Sequence, residues 1–278
     1  MKFSIFCIVL LFSGPSLACH EDKCHAPPAP EKPFVVLDET AFLNKPDLSV
    51  YGVIKKTRLI YTPSFWKAGE DKQALPPKPR VIEFVSGKYA DYKDTLIVDI
   101  EHWSLRTSLG PSVSKYVTVL GWMRSAAPAA KLGLYGRPPM PDARRAQLLP
   151  SDPAYRAWQS QNDQLMPIAL ALDVLTPVLY TANDDTGFWL RNATGQVVES
   201  KRLGGGKPIY PFLNPAYHTV AAPPHLRRKL IPKAFFLLQL QTLKKLGADG
   251  AIIWYPKKTT PWDETAPWWL ATKEFLRR

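Results

Sequence analysis

The stretch Thr-Leu-Ile-Val-Asp-Ile-Glu-His-Trp, residues 95–103, sets two carboxylates two residues apart at the end of an apolar run. Side chains along a strand alternate faces. Asp99 and Glu101 therefore share one side, while Val98, Ile100 and His102 take the other, toward a helical layer or its edge. Two neighbouring carboxyls oppose each other's ionisation, so one should keep its proton to higher pH. A glutamic acid of raised pKa is what protonation of a leaving-group oxygen near neutral pH requires. A lone carboxylate at a strand end has a plainer reading, as a loop cap or a partner for an arginine. The pair is harder to explain that way.

Other strand-like segments end in aromatics. Tyr135 follows Lys-Leu-Gly-Leu, Tyr180 ends Thr-Pro-Val-Leu, Tyr210 lies in Lys-Pro-Ile-Tyr-Pro-Phe, and Trp254 ends Gly-Ala-Ile-Ile. Taken singly, each is ordinary packing; together they suit a cleft in which rings stack on sugars and phenols reach substrate oxygens. Asn214 and His218 follow one of these segments, and Asp263 and Glu264 follow the last. His218 reads as a structural or substrate hydrogen-bonding residue, because no partner is spaced to share a metal with it. A metal-dependent hydrolase built on Asp99, Glu101 and His218 is the weaker alternative. Gln161 to Asp163 fall within a helical segment, as a solvated or capping set.

Strands and helices that would carry these residues alternate along the chain. Strand-like runs cover 57–62, 95–101, 131–136, 173–181, 207–213 and 249–256, although Pro177 interrupts the fourth. Helical spacing covers 80–89, 112–127, 153–171, 232–247 and the C-terminal segment. Short apolar strands alternating with helices imply parallel strands joined by crossovers. Six or seven such units predict a (β/α) TIM-like barrel, distorted or seven-stranded, whose chemistry lies at the carboxyl ends of the strands. An open doubly wound sheet is the alternative. It usually carries a glycine-rich turn after its first strand, and none occurs here. Leu-Gly-Gly-Gly-Lys-Pro (203–208) precedes a strand and reads as a flexible connection. No cofactor is expected.

Residues 1–18 combine Lys2, an apolar run and a Ser-Leu-Ala end, the pattern of a secretory signal peptide. The rival is a lipoprotein signal with Cys19 acylated, the one route by which membrane attachment is expected. Residues 19–33 form a Pro-rich tether, and 34–278 form one catalytic domain. Cys19 and Cys24 are read as a small disulfide loop, with a metal site from Cys19, His20, Cys24 and His25 as the lesser possibility. The net charge is +12, and the export signal, which implies a secreted or periplasmic protein, argues against nucleic acid as the partner. That charge suits an anionic polysaccharide, cell envelope or lipid surface instead.

The motif Asp-Ile-Glu-His-Trp (99–103) resembles the Asp-x-Glu-x-Trp signature of the hyaluronidase family of glycoside hydrolases. Leu-Gly-Leu-Tyr-Gly-Arg-Pro-Pro, Asp-Val-Leu-Thr-Pro-Val-Leu-Tyr-Thr, Lys-Pro-Ile-Tyr-Pro-Phe-Leu-Asn-Pro-Ala-Tyr-His and Leu-Gly-Ala-Asp-Gly-Ala-Ile-Ile-Trp-Tyr-Pro follow in the family's order. The chain is also similar to a group of bacterial secreted proteins that share this motif and a Trp-Asp-Glu-x-Ala-Pro-Trp-Trp segment, here 262–269. The family resemblance implies a distorted barrel with Glu101 as general acid. Asp99 would orient the substrate's acetamido group, whose carbonyl oxygen attacks the anomeric carbon. Tyr180 would contact that group, Trp254 would be the aromatic at the last strand end, and Tyr135 and Tyr210 would line the cleft. Ile100 stands where the family usually has Trp, and the family's structural cysteines are absent. The substrate is thus left open, as a polysaccharide or oligosaccharide that can contain N-acetylhexosamine.

The residues taken as the candidate site are Asp99 and Glu101 for catalysis, with Trp103, Tyr135, Tyr180, Tyr210, Asn214, His218 and Trp254 for substrate. The expected protein is an exported glycoside hydrolase. A non-catalytic glycan-binding or envelope-associated barrel is the alternative.

Overall fold

The computed structural model describes residues 33–256 and 258–277. The leader, Cys19, Cys24, their neighbouring histidines and all but the last residue of the Pro-rich segment lie outside the described residues.

Among the described residues there are seven strands, all paired in parallel: β1 (Val35–Thr40), β2 (Val53–Ile54), β3 (Thr57–Tyr61), β4 (Thr95–Asp99), β5 (Lys131–Leu134), β6 (Phe212–Leu213) and β7 (Gly250–Tyr255). They form two ladders, β2-β1-β7-β6 and β3-β4-β5. Two seams separate the ladders. At one, the chain steps directly from β2 into β3. At the other, residues 173–181 were expected to be a strand but make only single bridges, Tyr135 to Thr176, Leu175 to Ile209 and Val178 to Phe212. Pro177 explains the break. It has no N–H to donate, although its carbonyl accepts from the Phe212 N–H at 2.8 Å. The result is a distorted (β/α) barrel whose ladder is interrupted.

Leu37, Ile97, Phe212 and Ile252 fill its interior. The opposite faces of the same strands, including Leu96 and Val98 of β4 and Ala251 and Ile253 of β7, pack beneath helices. Burial on both faces is why these strands read as continuous apolar runs. The helical layer comprises α1 (Lys78–Tyr89), α2 (Leu109–Ala126), α3 (Ala143–Ala146), α4 (Pro153–Asp163), α5 (Met166–Ala171), α6 (Thr186–Gly204), α7 (Lys233–Lys245) and α8 (Pro267–Leu276).

Several expectations are corrected. The helix expected over 153–171 is two, because Pro167 cannot donate back into a continuous helix. Leu203 and Gly204 are not a flexible connection but the end of α6, which Gly205 closes in the left-handed conformation at φ 56°. Asn162 is not solvated: it is fully buried, accepting from the Met140 N–H and donating to Glu199. Glu199, also buried, accepts two further bonds from Arg202, at 2.7 and 2.8 Å. This network joins α4 to α6.

Candidate active site

Asp99 ends β4 and Glu101 lies two residues beyond it, where the sequence pattern places them. The backbone between them is pinned from both sides. The Thr62 hydroxyl donates to the Asp99 carbonyl at 3.2 Å, and the buried Tyr116 hydroxyl donates to the Ile100 carbonyl at 2.7 Å. Ile100 is buried under the helices, so Asp99 and Glu101 turn toward the barrel mouth. Glu101 is exposed. Asp99 is half-buried, and its Oδ1 is buried without a hydrogen bond.

Asp99 is held protonated to higher pH than an ordinary aspartate. Its pKa is pushed up to about 6, by burial first and then by the charge of Glu101, with Arg137 opposing. Arg137 was not singled out in the sequence. It follows Gly136, whose φ of 68° turns the chain after β5, and its guanidinium Nε is buried without a hydrogen bond. An arginine just past a strand end and a glycine is the signal that could have found it.

Glu101 opens onto a cavity of about 300 Å³ lined also by Tyr135, Tyr180, Asn214, Tyr217, His218 and Trp254. Tyr180 and Trp254 stack at 5.7 Å with 12° between their planes. Tyr180 Oη is buried and makes no hydrogen bond of standard geometry, although the Tyr135 phenol is near enough to influence its ionisation. Burial raises both phenols well above the ordinary tyrosine range. Asn214 turns its Oδ1 to the Ala216 N–H at 2.9 Å. His218 Nδ1 accepts from the N–H groups of Val220 and Ala221 at 3.0 and 2.9 Å. In the neutral ring the hydrogen is therefore on Nε2.

Two expected binding residues lie elsewhere. Trp103 is fully buried, donating its indole N–H to the Lys72 carbonyl at 2.8 Å and packing edge-on against Trp66 and Tyr116. It braces the loop after β4 instead of facing a ligand. Tyr210 comes before β6 rather than after it, and so lies toward the amino end of the barrel. A Cβ on Gly250, the first residue of β7, would be 3.1 Å from its ring.

His102 departs from strict alternation because β4 ends at Asp99. With Asp99, Glu101, Tyr61 and Lys72 it lines a second hollow of about 270 Å³. Burial, then the charge of Lys72, lowers its pKa. Asp263 and Glu264 are occupied locally. Asp263 takes the Thr265 N–H and hydroxyl, and Glu264 takes the indole N–H groups of Trp262 and Trp269. Among the described residues, no group of three or more His, Cys, Asp or Glu converges to hold a metal ion. Asp99, Glu101 and His218 thus do not form the ligand set that a metal-dependent reading needs.

Sequence reasoning also missed two residues of the mouth. Tyr61, ending β3, accepts the Trp254 indole N–H at 3.2 Å. Glu39, in β1, pairs in register with Trp254. Neither lay in a motif, and the strand carrying Glu39 is broken by charge.

No family model matches the chain, and no curated protein does. Solved structures do. Bee venom hyaluronidase aligns with a TM-score of 0.61 at 17% identity, covering 88% of this chain and 96% of that one. The same protein in complex with a hyaluronic acid tetramer aligns with a TM-score of 0.60 at 18% identity, covering 81% and 91%. The chain therefore has a fold similar to that of bee venom hyaluronidase, over nearly the whole of both.

Proposed function

We propose that the protein is an exported glycoside hydrolase that cleaves a polysaccharide or glycan containing N-acetylhexosamine, with Glu101 as general acid and Asp99 assisting. The observation that carries this reading is Asp99, its Oδ1 buried without a hydrogen bond, beside an exposed Glu101 that shares a cavity with the stacked Tyr180 and Trp254.

In this reading the acetamido N–H of the bound sugar donates to Asp99. That bond favours the ionised carboxylate and draws its pKa down. Glu101 then protonates the glycosidic oxygen as the bond to the anomeric carbon breaks. The acetamido carbonyl oxygen, oriented by Asp99, bonds to that carbon in its place. Water, deprotonated by Glu101, opens the resulting ring and restores the acid. This substrate-assisted route is a known exception to the scheme with a carboxylate nucleophile. The phenols of Tyr135 and Tyr180, held neutral, serve as donors to sugar oxygens.

The test is release of reducing ends from a panel of polysaccharides by the wild type and Glu101→Gln. Loss of release in the variant is expected. Turnover that survives Glu101→Gln overturns the assignment. Binding of a glycan that neither protein cuts favours the non-catalytic alternative.

A further inference from the structure

Helices α1, α2, α6 and α7 each return the chain to the amino end of the barrel, where turns lead into β4, β5, β6 and β7. This end lies opposite Asp99 and Glu101, and it carries lysines that the mechanism above does not use. Lys88 is in the last turn of α1, Lys93 is in the turn before β4, and Lys131 opens β5. Lys201 is in the last turn of α6, and Lys244 and Lys245 are in that of α7. All six are exposed. None is in an ion pair among the described residues.

The acids in these turns balance little of that charge. Asp173 takes Arg124 and the Leu132 N–H at 2.7 Å, and Asp249 takes the Ile209 N–H at 3.0 Å. Asp94 is half-buried, which leaves Asp91 exposed. Lysines in a last turn also offset the dipole of their own helix, but Lys93 and Lys131 lie outside any helix. The six come from four separate turns rather than from one element or groove. A flat anionic surface meets all of them together, whereas a single polymer strand meets only those along one line. The described chain also starts at this end: Pro33 lies two residues before β1, so residues 1–32 join the barrel here.

We propose that the amino end of the barrel is a docking face for an anionic phospholipid surface. Its lysines meet the headgroup phosphates, and the mouth, at the opposite end, is held facing away from the lipid. This is peripheral, reversible attachment that needs no acyl chain on Cys19. It does not rest on the chemistry assigned to Glu101.

Co-sedimentation of the full chain with vesicles of phosphatidylcholine, alone or mixed with phosphatidylglycerol, tests the face. Binding to the anionic vesicles should exceed binding to the neutral ones and fall steeply as salt rises. Residues 1–32 are present in both measurements, so the ratio reports the face. Lys131→Ala and Lys201→Ala should each weaken binding to anionic vesicles about fivefold, and the double variant Lys131→Glu/Lys201→Glu more than about twentyfold. Lys67 and Lys229 are exposed in the loops after β3 and β6, at the opposite end. Lys67→Glu/Lys229→Glu makes the same change in net charge and should keep most of the binding. Equal binding to the two kinds of vesicle, or equal losses in the two double variants, overturns the face. So does lysine-dependent binding to dextran sulfate by a protein that ignores phosphatidylglycerol, which would make the partner a polymer. Cleavage does not enter the measurement, so the glycosidase reading stands or falls separately.

Discussion

The rings of Trp254 and Tyr180 lie 12° from parallel with centroids 5.7 Å apart, although one residue lies near the end of β7 and the other in the bridge-only seam. Trp254 is further fixed by its indole N–H bond to Tyr61. The wall opposite Glu101 is therefore formed before any ligand arrives, which spares a ligand the cost of ordering it.

Trp254→Ala should raise KM for an oligosaccharide by about two- to twelvefold, the worth of an aromatic contact beyond its buried area. Trp254→Phe should recover most of that. Equal KM values in the wild type and the alanine variant would show that the wall is not a sugar platform.

Asp99 sets stability against function. Its folded pKa of about 6 exceeds its unfolded value, so ionising it costs stability. That cost is absent below about pH 4, grows toward pH 6 and is complete above it. Asp99→Asn should accordingly be more stable than the wild type at pH 7 by on the order of 1–3 kcal/mol, and no more stable near pH 4. In thermal melts that is about 2–4 °C for each kcal/mol. Turnover should be lost in the same variant. A variant that melts at or below the wild-type temperature at pH 7 contradicts a carboxyl whose ionisation burial opposes.

Trp103 separates packing from recognition. Trp103→Phe should lower stability by about 1–3 kcal/mol through the cavity it leaves and the lost bond to Lys72. KM should not change in the folded variant. A raised KM with unaltered urea stability would return Trp103 to the ligand-contacting set.

The Asn162–Glu199 network should be costly to cut. Asn162→Leu leaves the buried Met140 N–H without its acceptor and removes one of the bonds to Glu199 Oε1, which keeps Arg202, and should cost about 1–3 kcal/mol in urea unfolding. A loss below the error of the measurement would mean that water takes the place of the Asn162 amide.

Hydrophobic rhythm was enough to place β4, β5, β7 and α7, because parallel strands buried on both faces leave uninterrupted apolar runs. It failed where burial is polar. The inner face of α6 carries Asn192, Gln196, Glu199 and Ser200, so the longest helix here looks solvated in the sequence. In β1, Asp38, Glu39 and Thr40 similarly obscure a strand at the centre of a sheet. Period-two spacing correctly turned Asp99 and Glu101 to one side, since Ile100 between them keeps to the helical layer. Spacing could not assign the raised pKa, which depends on how much water reaches each carboxyl. Nor could it separate Tyr210 from Tyr180, because both sit near prolines and only their depth along the barrel distinguishes them.

The interrupted ladder divides the mouth of the barrel between two owners. Asp99 and Glu101 ride on the three-stranded sheet, whereas Glu39 and Trp254 ride on the four-stranded one. Acids and platform are thus held together across the seams by side chains, single bridges and one step of the chain, not by a shared run of backbone bonds. Any breathing of the barrel is felt first as a change in the gap that a substrate must fill, and amide exchange along 173–181 would be its gauge.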